Sequence, residues 1–342
     1  ELSSSHHLDS MLSRESSFLI NNLILVGAAF SILWGTLFPV ISEAVRGIKI
    51  TVGPPFFNAV NVPIGLVLIL LTGIGPLIAW RKATANNLIR NFRLPALVFL
   101  ITFVGLLLGG VRSIYPLLSF GLINFVLTSI IIEFYRGTRA RMRYDRNVVY
   151  AFKNLILKHR RRYGGYIVHI GMMLIFVGIT GSSAFNVEKE QVLSKGDVMT
   201  IKNYNLTFTG MDEYQTGNAQ VINASLQVKR DGNNMGILSP AKEYHPIQDQ
   251  TMTEVAILSN YREDLYLILG GVNKDGTVLI KAHINPLVAW IWWGGYVLIF
   301  GTLIALWPSR KRKDSPASSG KQKSTKAGRK VVEPLITERQ AR

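Results

Sequence analysis

Six apolar stretches constrain the fold of this chain more than any other feature of its sequence. They cover residues 23–42, 62–80, 94–110, 113–134, 164–182 and 286–308. Each holds roughly 17 to 23 residues, a length that lets a helix cross a lipid bilayer. Only Val111 and Arg112 separate the third stretch from the fourth, and Pro116 follows closely, so we expect a helical hairpin or kink there. The pattern predicts a mainly α-helical polytopic membrane protein of about six transmembrane helices.

The composition agrees with a membrane protein and excludes several functions. Hydrophobic residues make up 48% of the 342-residue chain and charged residues only 17%, yet the net charge is +17. The basic residues directly follow apolar spans and do not mark one folded face, so we expect the lipid bilayer and no nucleic acid as partner. The sequence contains no cysteine, which excludes a disulfide, a thiolate metal ligand or a cysteine nucleophile from this chain.

Lysine and arginine are distributed unevenly between the two sides of the membrane. The loop between spans four and five holds ten of them, and the segment after span six holds eleven. The opposite short loops carry only Arg46, Lys49 and Arg112. By the positive-inside rule, we expect a multi-pass membrane protein with both termini in the cytoplasm. Residues 309–342 predict a basic, disordered tail beside the anionic leaflet.

Residues 184–285 break the transmembrane pattern. Short alternating runs at 205–209, 224–228, 265–269 and 277–280 are typical of strands. Asp231-Gly232 and Asp275-Gly276 are signals for hairpin turns. We therefore expect one small all-β domain, which the span parity places on the outer side of the membrane, between the five spans of residues 1–183 and the final helix at 286–308.

His169 lies inside the otherwise apolar fifth span. Ionisable side chains at such depth usually mark a pathway, a proton relay or a ligand site, and imidazole is a common axial ligand of haem iron. Gly165, one turn earlier, leaves space beside the ring for a porphyrin face. Gly164, Gly171 and Gly178 recur every seven residues and predict a close-packing seam on another side. The alternative is a neutral histidine that hydrogen-bonds to a neighbouring helix, and the residues alone leave both interpretations open.

Other candidate residues carry weaker signals. His283 lies just outside the last span and is a weak candidate for a bridging or transient role, although a surface histidine is the simpler interpretation. The run Trp290-Ile291-Trp292-Trp293 is typical of an interfacial aromatic belt. Segment 52–58, VGPPFFN, predicts a rigid turn in the first outer loop. We find no combination of side chains that predicts a catalytic constellation.

Several segments, taken together and in order, resemble the carboxy-terminal half of CcmF, the large membrane subunit of the cytochrome c maturation (System I) haem lyase. They are SRES at 13–16 with NN at 21–22, GTLFP at 35–39, VGPPFFN at 52–58, GIGPL at 73–77, RRYGGYIVHIG at 161–171, TEVAI at 253–257, EDLYLILG at 263–270 and NPLVAWIWWGG at 285–295. Each is weak alone. Their order and their agreement with the six-span topology make the resemblance specific over residues 13 to about 307.

The resemblance implies a function. Proteins of this family take haem from a periplasmic haem chaperone and present it to the Cys-X-X-Cys-His motif of an apocytochrome c, where two thioether bonds form. They also hold a stable haem b between two transmembrane histidines, and His169 matches the second of these axial ligands. The other ligand and the tryptophan-rich haem-handling segment precede the matched region in the family. The partners implied are therefore an upstream half, the haem chaperone, and the apocytochrome c with its thiol-handling subunits.

On this resemblance we expect the chain to be the downstream part of a lyase, a fragment or a split-gene product, that does not act alone. The resemblance also implies the inner (cytoplasmic) membrane, with the β domain in the periplasm. Two alternatives remain. One is half of a helical transporter whose binding site uses broken segments around Pro63, Pro76 and Pro116. The other is a non-catalytic assembly scaffold without haem.

Overall fold

A computed structural model describes residues 14–75 and 85–308. The α-helices in these ranges are α1 (Arg14–Arg46), α2 (Pro54–Ile74), α3 (Ala85–Leu108), α4 (Ile114–Arg141), α5 (Val148–Lys158), α6 (Arg160–Ala184) and α7 (Ala289–Leu306). In the described part, the six helices other than α5 are long and apolar enough to cross a membrane. The protein is therefore a multi-pass membrane protein, as predicted. The basic tail at 309–342 and the end of the second predicted span at 76–80 lie outside the described residues.

The segment predicted as a rigid turn at 52–58 is mostly the start of α2. Gly53 is the N-cap residue and the two prolines occupy the first helical positions. Proline is favoured there because an N–H at that position would have no partner within the helix, so its absence costs nothing. Phe56 and Phe57 lie against Gly35 of α1, where an added Cβ would lie 2.7 Å from the Phe57 ring. The pair thus joins α1 to α2, and the prediction of a turn at these residues was wrong.

Helices α3 and α4 form an antiparallel hairpin, as their short separation predicts. Gly110 in the connection has a φ of +94°, a conformation that glycine adopts without steric cost. Helix α4 begins at Ile114, so Pro116 lies in its first turn, where no intrahelical hydrogen bond is lost. Helix α5 was not predicted. It buries Ala151 and Leu155, whereas Val149 and Tyr150 remain exposed.

Helix α6 packs on α4 and α7 through different faces. Ser119 Oγ of α4 and Thr180 Oγ1 of α6 are 2.6 Å apart and share a hydrogen bond. Phe120 of α4 stacks on Phe185, directly after α6, with ring centroids 6.2 Å apart. A buried cluster that includes Ile69, Ile123, Val126, Tyr166 and Met173 joins α2, α4 and α6.

Ten β-strands lie between α6 and α7. They are β1 (Val187–Leu193), β2 (Val198–Ile201), β3 (Tyr204–Thr216), β4 (Ala219–Arg230), β5 (Asn233–Leu238), β6 (Ala241–His245), β7 (Gln250–Glu254), β8 (Ala256–Ser259), β9 (Glu263–Val272) and β10 (Val278–Pro286). One sheet has the order β1-β10-β9-β8, the other β2-β3-β4-β6-β7, and β5 pairs with β4. Asp231 and Gly232 have φ values of 49° and 83°, as the predicted β4–β5 hairpin turn requires.

The two sheets enclose one apolar core. Leu206, Phe208 and Leu226 from the second sheet pack with Leu267 and Ile280 from the first. Alternate residues of β9 and β10 are buried, which is the period of two expected for strands with one covered face. The small all-β domain is therefore confirmed as a two-sheet sandwich.

Candidate functional site

His169 lines a pocket between three helices. It lies nine residues after the start of α6, which corresponds to about 14 Å along the helix. The pocket is half-open and has a volume of about 190 Å³. Its lining comes from α1, from the end of α2 and from α6, and consists of Ser17, Phe18, Asn21, Leu71, Thr72, Gly75, Tyr166 and His169.

The imidazole of His169 has an unsatisfied polar atom. Its Nδ1 atom is buried and has no hydrogen-bond partner among the residues that the structure describes. A buried polar atom without a partner costs roughly 1–3 kcal/mol. The described helices therefore do not supply the neighbour that a purely structural, hydrogen-bonded histidine would need. The ring is available to a group that enters the pocket or to a segment outside the described ranges.

Gly165 and the seam glycines lie in different surroundings on α6. A Cβ added to Gly165 would have no atom within 4 Å, so the space one turn before His169 is open. A Cβ on Gly171 would lie 2.6 Å from the backbone nitrogen of Leu298 in α7, and one on Gly164 would lie 2.7 Å from that of Ala305. The predicted glycine seam thus packs directly on α7, whereas the side of α6 at Gly165 is left free.

A charged network adjoins the pocket on the side of the α6 N-terminus. Arg162 Nε donates a hydrogen bond to the Tyr166 hydroxyl at 3.1 Å. The same guanidinium donates through Nη2 to Glu133 of α4. The Glu133 side chain is only 11% exposed. Since Tyr166 lines the pocket, its hydrogen bond to Arg162 links the pocket wall to the Arg162–Glu133 ion pair.

This network was not predicted from the sequence, although one signal was present. Glu133 is the one acidic residue within the fourth predicted span, at 113–134. Acidic residues inside transmembrane helices are rare and usually paired. The identity of the partner could not be predicted, because Arg162 lies 29 positions away in sequence.

His283 lies in the β domain and not beside His169. It occupies β10, with its Nδ1 3.8 Å from Glu188 Oε2 of β1. Its ring meets Tyr266 of β9 edge-on, at 6.2 Å between centroids. This environment is a cross-strand cluster on the outer face of the first sheet. In the described part of the chain, no group of three or more His, Cys, Asp or Glu side chains is placed to hold a metal ion.

The tryptophan run opens α7. Trp290, Trp292 and Trp293 are 38%, 69% and 60% exposed, respectively. They lie directly after β10, at the end of the helix that adjoins the β domain. The predicted aromatic belt requires exposed tryptophans of this kind at a helix end.

Known proteins resemble both parts of this structure. The family model described as "CcmF C-terminal beta-sandwich" matches residues 184–286. The cytochrome c-type biogenesis protein CcmF of Pseudomonas fluorescens is 32% identical over 303 residues, which cover 88% of this chain and 44% of that protein. CcmF of Escherichia coli is 29% identical over 313 residues, covering 89% of this chain and 45% of that protein.

A solved structure extends the likeness to the whole fold. The structure of "Cytochrome c Heme Lyase CcmF" superposes with a TM-score of 0.71 and 26% sequence identity, over 87% of this chain and 46% of that one. The chain thus spans a little under half the length of the proteins it matches, in their carboxy-terminal half. The helical part and the sandwich together thus correspond, in sequence and in fold, to the carboxy-terminal half of CcmF cytochrome c biogenesis proteins.

Proposed function

We propose that this chain is the carboxy-terminal part of a cytochrome c haem lyase and that His169 is an axial ligand of a membrane-embedded haem b. The observation that carries the proposal is the buried Nδ1 of His169, which has no partner among the described residues. The likeness of the fold to the solved structure of a cytochrome c haem lyase supports the same assignment.

The residues around His169 fit a haem in three respects. The imidazole faces a pocket, the space at Gly165 is open, and the walls are a mixture of apolar and small polar side chains. The volume of about 190 Å³ is below the roughly 300–1,000 Å³ of typical ligand pockets. The described helices thus form one wall of a wider site, and the upstream half supplies the second wall and the second ligand.

A bound haem b would supply one-electron redox chemistry at this position. Within this chain, His169 would bind the haem iron, Gly165 would keep the adjacent space free, and Tyr166 would form part of the pocket wall. His169 is about 14 Å from the start of α6 and about 22 Å from its end at the β domain. Because of this depth, we propose electron transfer to the substrate haem as the role of the site, and not direct contact with that haem.

We propose an orientation of the chain in the membrane from the two ends of α6. The basic loop precedes Arg160, and β1 follows Ala184, so the charged end and the β domain lie at opposite ends of this helix. Under the positive-inside rule, the charged end is cytoplasmic and the sandwich is periplasmic. We propose that the sandwich, residues 184–285, positions the apocytochrome c or a partner subunit there. Because this chain has no cysteine, the thiols of the Cys-X-X-Cys-His motif come from the apocytochrome.

The transporter alternative finds little support in the described helices. Helix α2 runs through Pro63 without interruption, and α4 starts two residues before Pro116. Discontinuous helices at these prolines were the basis of that alternative. Pro76 lies outside the described residues.

Reduced-minus-oxidised visible spectra of His169→Ala test the proposal. The chain is co-expressed with its upstream half, and His283→Ala is the control because that histidine lies in the β domain. We expect the b-type haem signal to disappear in His169→Ala and to persist in the control, at equal protein levels. An unchanged haem signal in His169→Ala would assign His169 a structural role. Absence of haem in the unsubstituted protein would favour the scaffold.

A further inference from the structure

A second concave surface of the helical part lies away from His169. It is a groove of about 960 Å³ between the start of α3 and the end of α4. Four arginines line it, namely Arg90, Arg136, Arg139 and Arg143. Because α3 and α4 are antiparallel, the beginning of one and the end of the other meet at the same membrane boundary.

The positive charge in this groove is largely uncompensated. Of its four arginines, only Arg136 has a carboxylate partner among the described residues, and its distance to Glu133 is 3.9 Å. Glu133 also pairs with Arg162, which lies outside the groove. The nearby Asp145 pairs with Arg141 at 2.9 Å. Several guanidinium groups in one concave surface repel one another unless an anion lies between them.

The groove becomes apolar within one helical turn. Leu94 lies four residues after Arg90, and Ile132 lies four residues before Arg136. Four residues correspond to about 6 Å along a helix axis. Tyr135, 62% exposed, also lines the groove. Guanidinium groups above an aliphatic wall, with an aromatic ring at the edge, match the change from head group to acyl chain at a membrane surface.

We propose that this groove binds an anionic phospholipid, with its phosphate among the four arginines and its acyl chains along Leu94 and Ile132. Guanidinium forks bind phosphate oxygens in a bidentate manner, so each phosphate occupies up to two arginines. A lipid with two phosphates therefore satisfies all four. The aliphatic wall distinguishes this ligand from free phosphate, which makes no use of Leu94 or Ile132.

Native mass spectrometry of the full chain, purified in neutral detergent, tests the proposal. The probes are diphosphatidylglycerol, phosphatidylglycerol, phosphatidylcholine and inorganic phosphate. The variant Arg136→Gln/Arg139→Gln removes two groove charges. Arg146→Gln/Lys153→Gln is the matched control, because it removes two exposed charges from the same basic segment, residues 136–162, but outside the groove.

We expect one diphosphatidylglycerol per chain, weaker phosphatidylglycerol binding and no retained phosphatidylcholine. The groove variant should bind diphosphatidylglycerol about thirtyfold more weakly, since each basic side chain near a lipid head group contributes roughly 1 kcal/mol. The control variant should bind within about threefold of the unsubstituted chain. If the groove variant does not fold, Arg136→Lys/Arg139→Lys keeps the charge and should still bind, although more weakly because the bidentate geometry is lost.

Three results would overturn the proposal. Equal losses in the groove and control variants would show general attraction to the basic loop. Displacement of diphosphatidylglycerol by inorganic phosphate at the same concentration would show an anion site without lipid specificity. Displacement of the lipid on co-purification with the upstream half would show that a protein segment occupies the groove.

Discussion

His169 and Arg162 are on the same face of α6, two helical turns apart, and this spacing links the ligand candidate to a charged pair. Arg162 holds Tyr166 on one side and Glu133 on the other. Opposite charges about two helical turns from an iron site shift its reduction potential in opposite directions. A cation stabilises the reduced state, and an anion stabilises the oxidised state.

The first prediction concerns this charge pair. With haem bound through His169, Arg162→Gln should lower the midpoint potential of that haem by about 30–70 mV, the effect of one charge at about 10 Å in an effective dielectric near 20. Glu133→Gln should raise the potential by a similar amount. Spectroelectrochemical titration of both variants measures this effect. Shifts of the same sign in both variants would contradict it.

The second prediction concerns two aspartates of the β domain. Burial raises the pKa of the Asp264 carboxyl, and hydrogen bonds from the Ser259 side chain and the Asn260 backbone only partly oppose this. Hydrogen bonds from the Thr277 hydroxyl and backbone lower the pKa of Asp275. Protonation of Asp264 thus favours the folded state, and the stability it contributes is lost as the pH rises through its raised pKa. Asp275 contributes stability above its ordinary pKa that is lost as the pH falls through its lowered pKa.

Thermal unfolding at neutral pH and at pH about 4 compares the two aspartates. Asp264→Asn should raise the melting temperature relative to the unsubstituted protein at neutral pH, and the gain should shrink at the lower pH. Asp275→Asn should lower the melting temperature at neutral pH, and the loss should shrink on acidification. An equal effect of either substitution at both pH values would show that its ionisation is not linked to folding.

At the scale of elements, α6 is shaped by two kinds of glycine. The seam glycines allow α7 to approach until backbone atoms touch, whereas a Cβ added to Gly165 would have no atom within 4 Å. Without a water-driven hydrophobic effect between helices, such close packing is a main source of association in a membrane. Glycine therefore allows close helix packing at the seam positions, whereas at Gly165 it leaves open space beside the helix.

The third prediction separates these roles. Gly171→Ala should destabilise the protein by about 1–3 kcal/mol, because the new methyl group would lie 2.6 Å from the Leu298 backbone. Gly165→Ala should leave stability unchanged or raise it by up to about 1 kcal/mol, since alanine is the better helix former. Gly165→Leu should in turn reduce haem retention without loss of fold. Thermal melts and haem content of the three variants provide the measurement.

At the scale of the whole molecule, the sandwich has its own core and is joined to the membrane part where α6 leads into β1 and where β10 leads into α7. Leu287, between β10 and α7, has a φ of +64°, which is unusual for a leucine. Its N–H donates to the Arg262 carbonyl at 2.7 Å, and its side chain packs on Gly181 of α6. These two contacts hold the chain in this conformation and fix how the β domain continues into the helix pair α6–α7.

The fourth prediction follows from the separate core. Residues 186–286, expressed without the helices, should fold as a soluble domain and unfold cooperatively on heating. Leu267→Ala should destabilise it by about 2–5 kcal/mol, because Leu267 is fully buried between the sheets. Ile257→Ala, at a position 47% exposed, should change stability by less than about 0.5 kcal/mol. A domain without a cooperative transition would show that it depends on α6 and α7.

The sequence alone determined the six membrane spans and the presence of a β domain, and it identified His169 as the candidate ligand. Six apolar spans, alternating strands with Asp-Gly turns, and a histidine in an apolar helix are local patterns, and local patterns follow from the periods of helix and strand. The glycine seam was also predictable, because its seven-residue spacing lies on one helix. Helix α5 was missed because its eleven residues are too few for a span.

Only the tertiary structure decided which residues meet across the chain. The pocket at His169 combines α1, α2 and α6, the Glu133–Arg162 pair joins two helices, and the arginine groove joins α3 to α4. Such contacts depend on helix packing and rotation, which the pattern of a single segment does not specify. The start of α2 shows the same limit locally, because proline is compatible with both a turn and a first helical turn, and packing of Phe57 on Gly35 accompanies the helix.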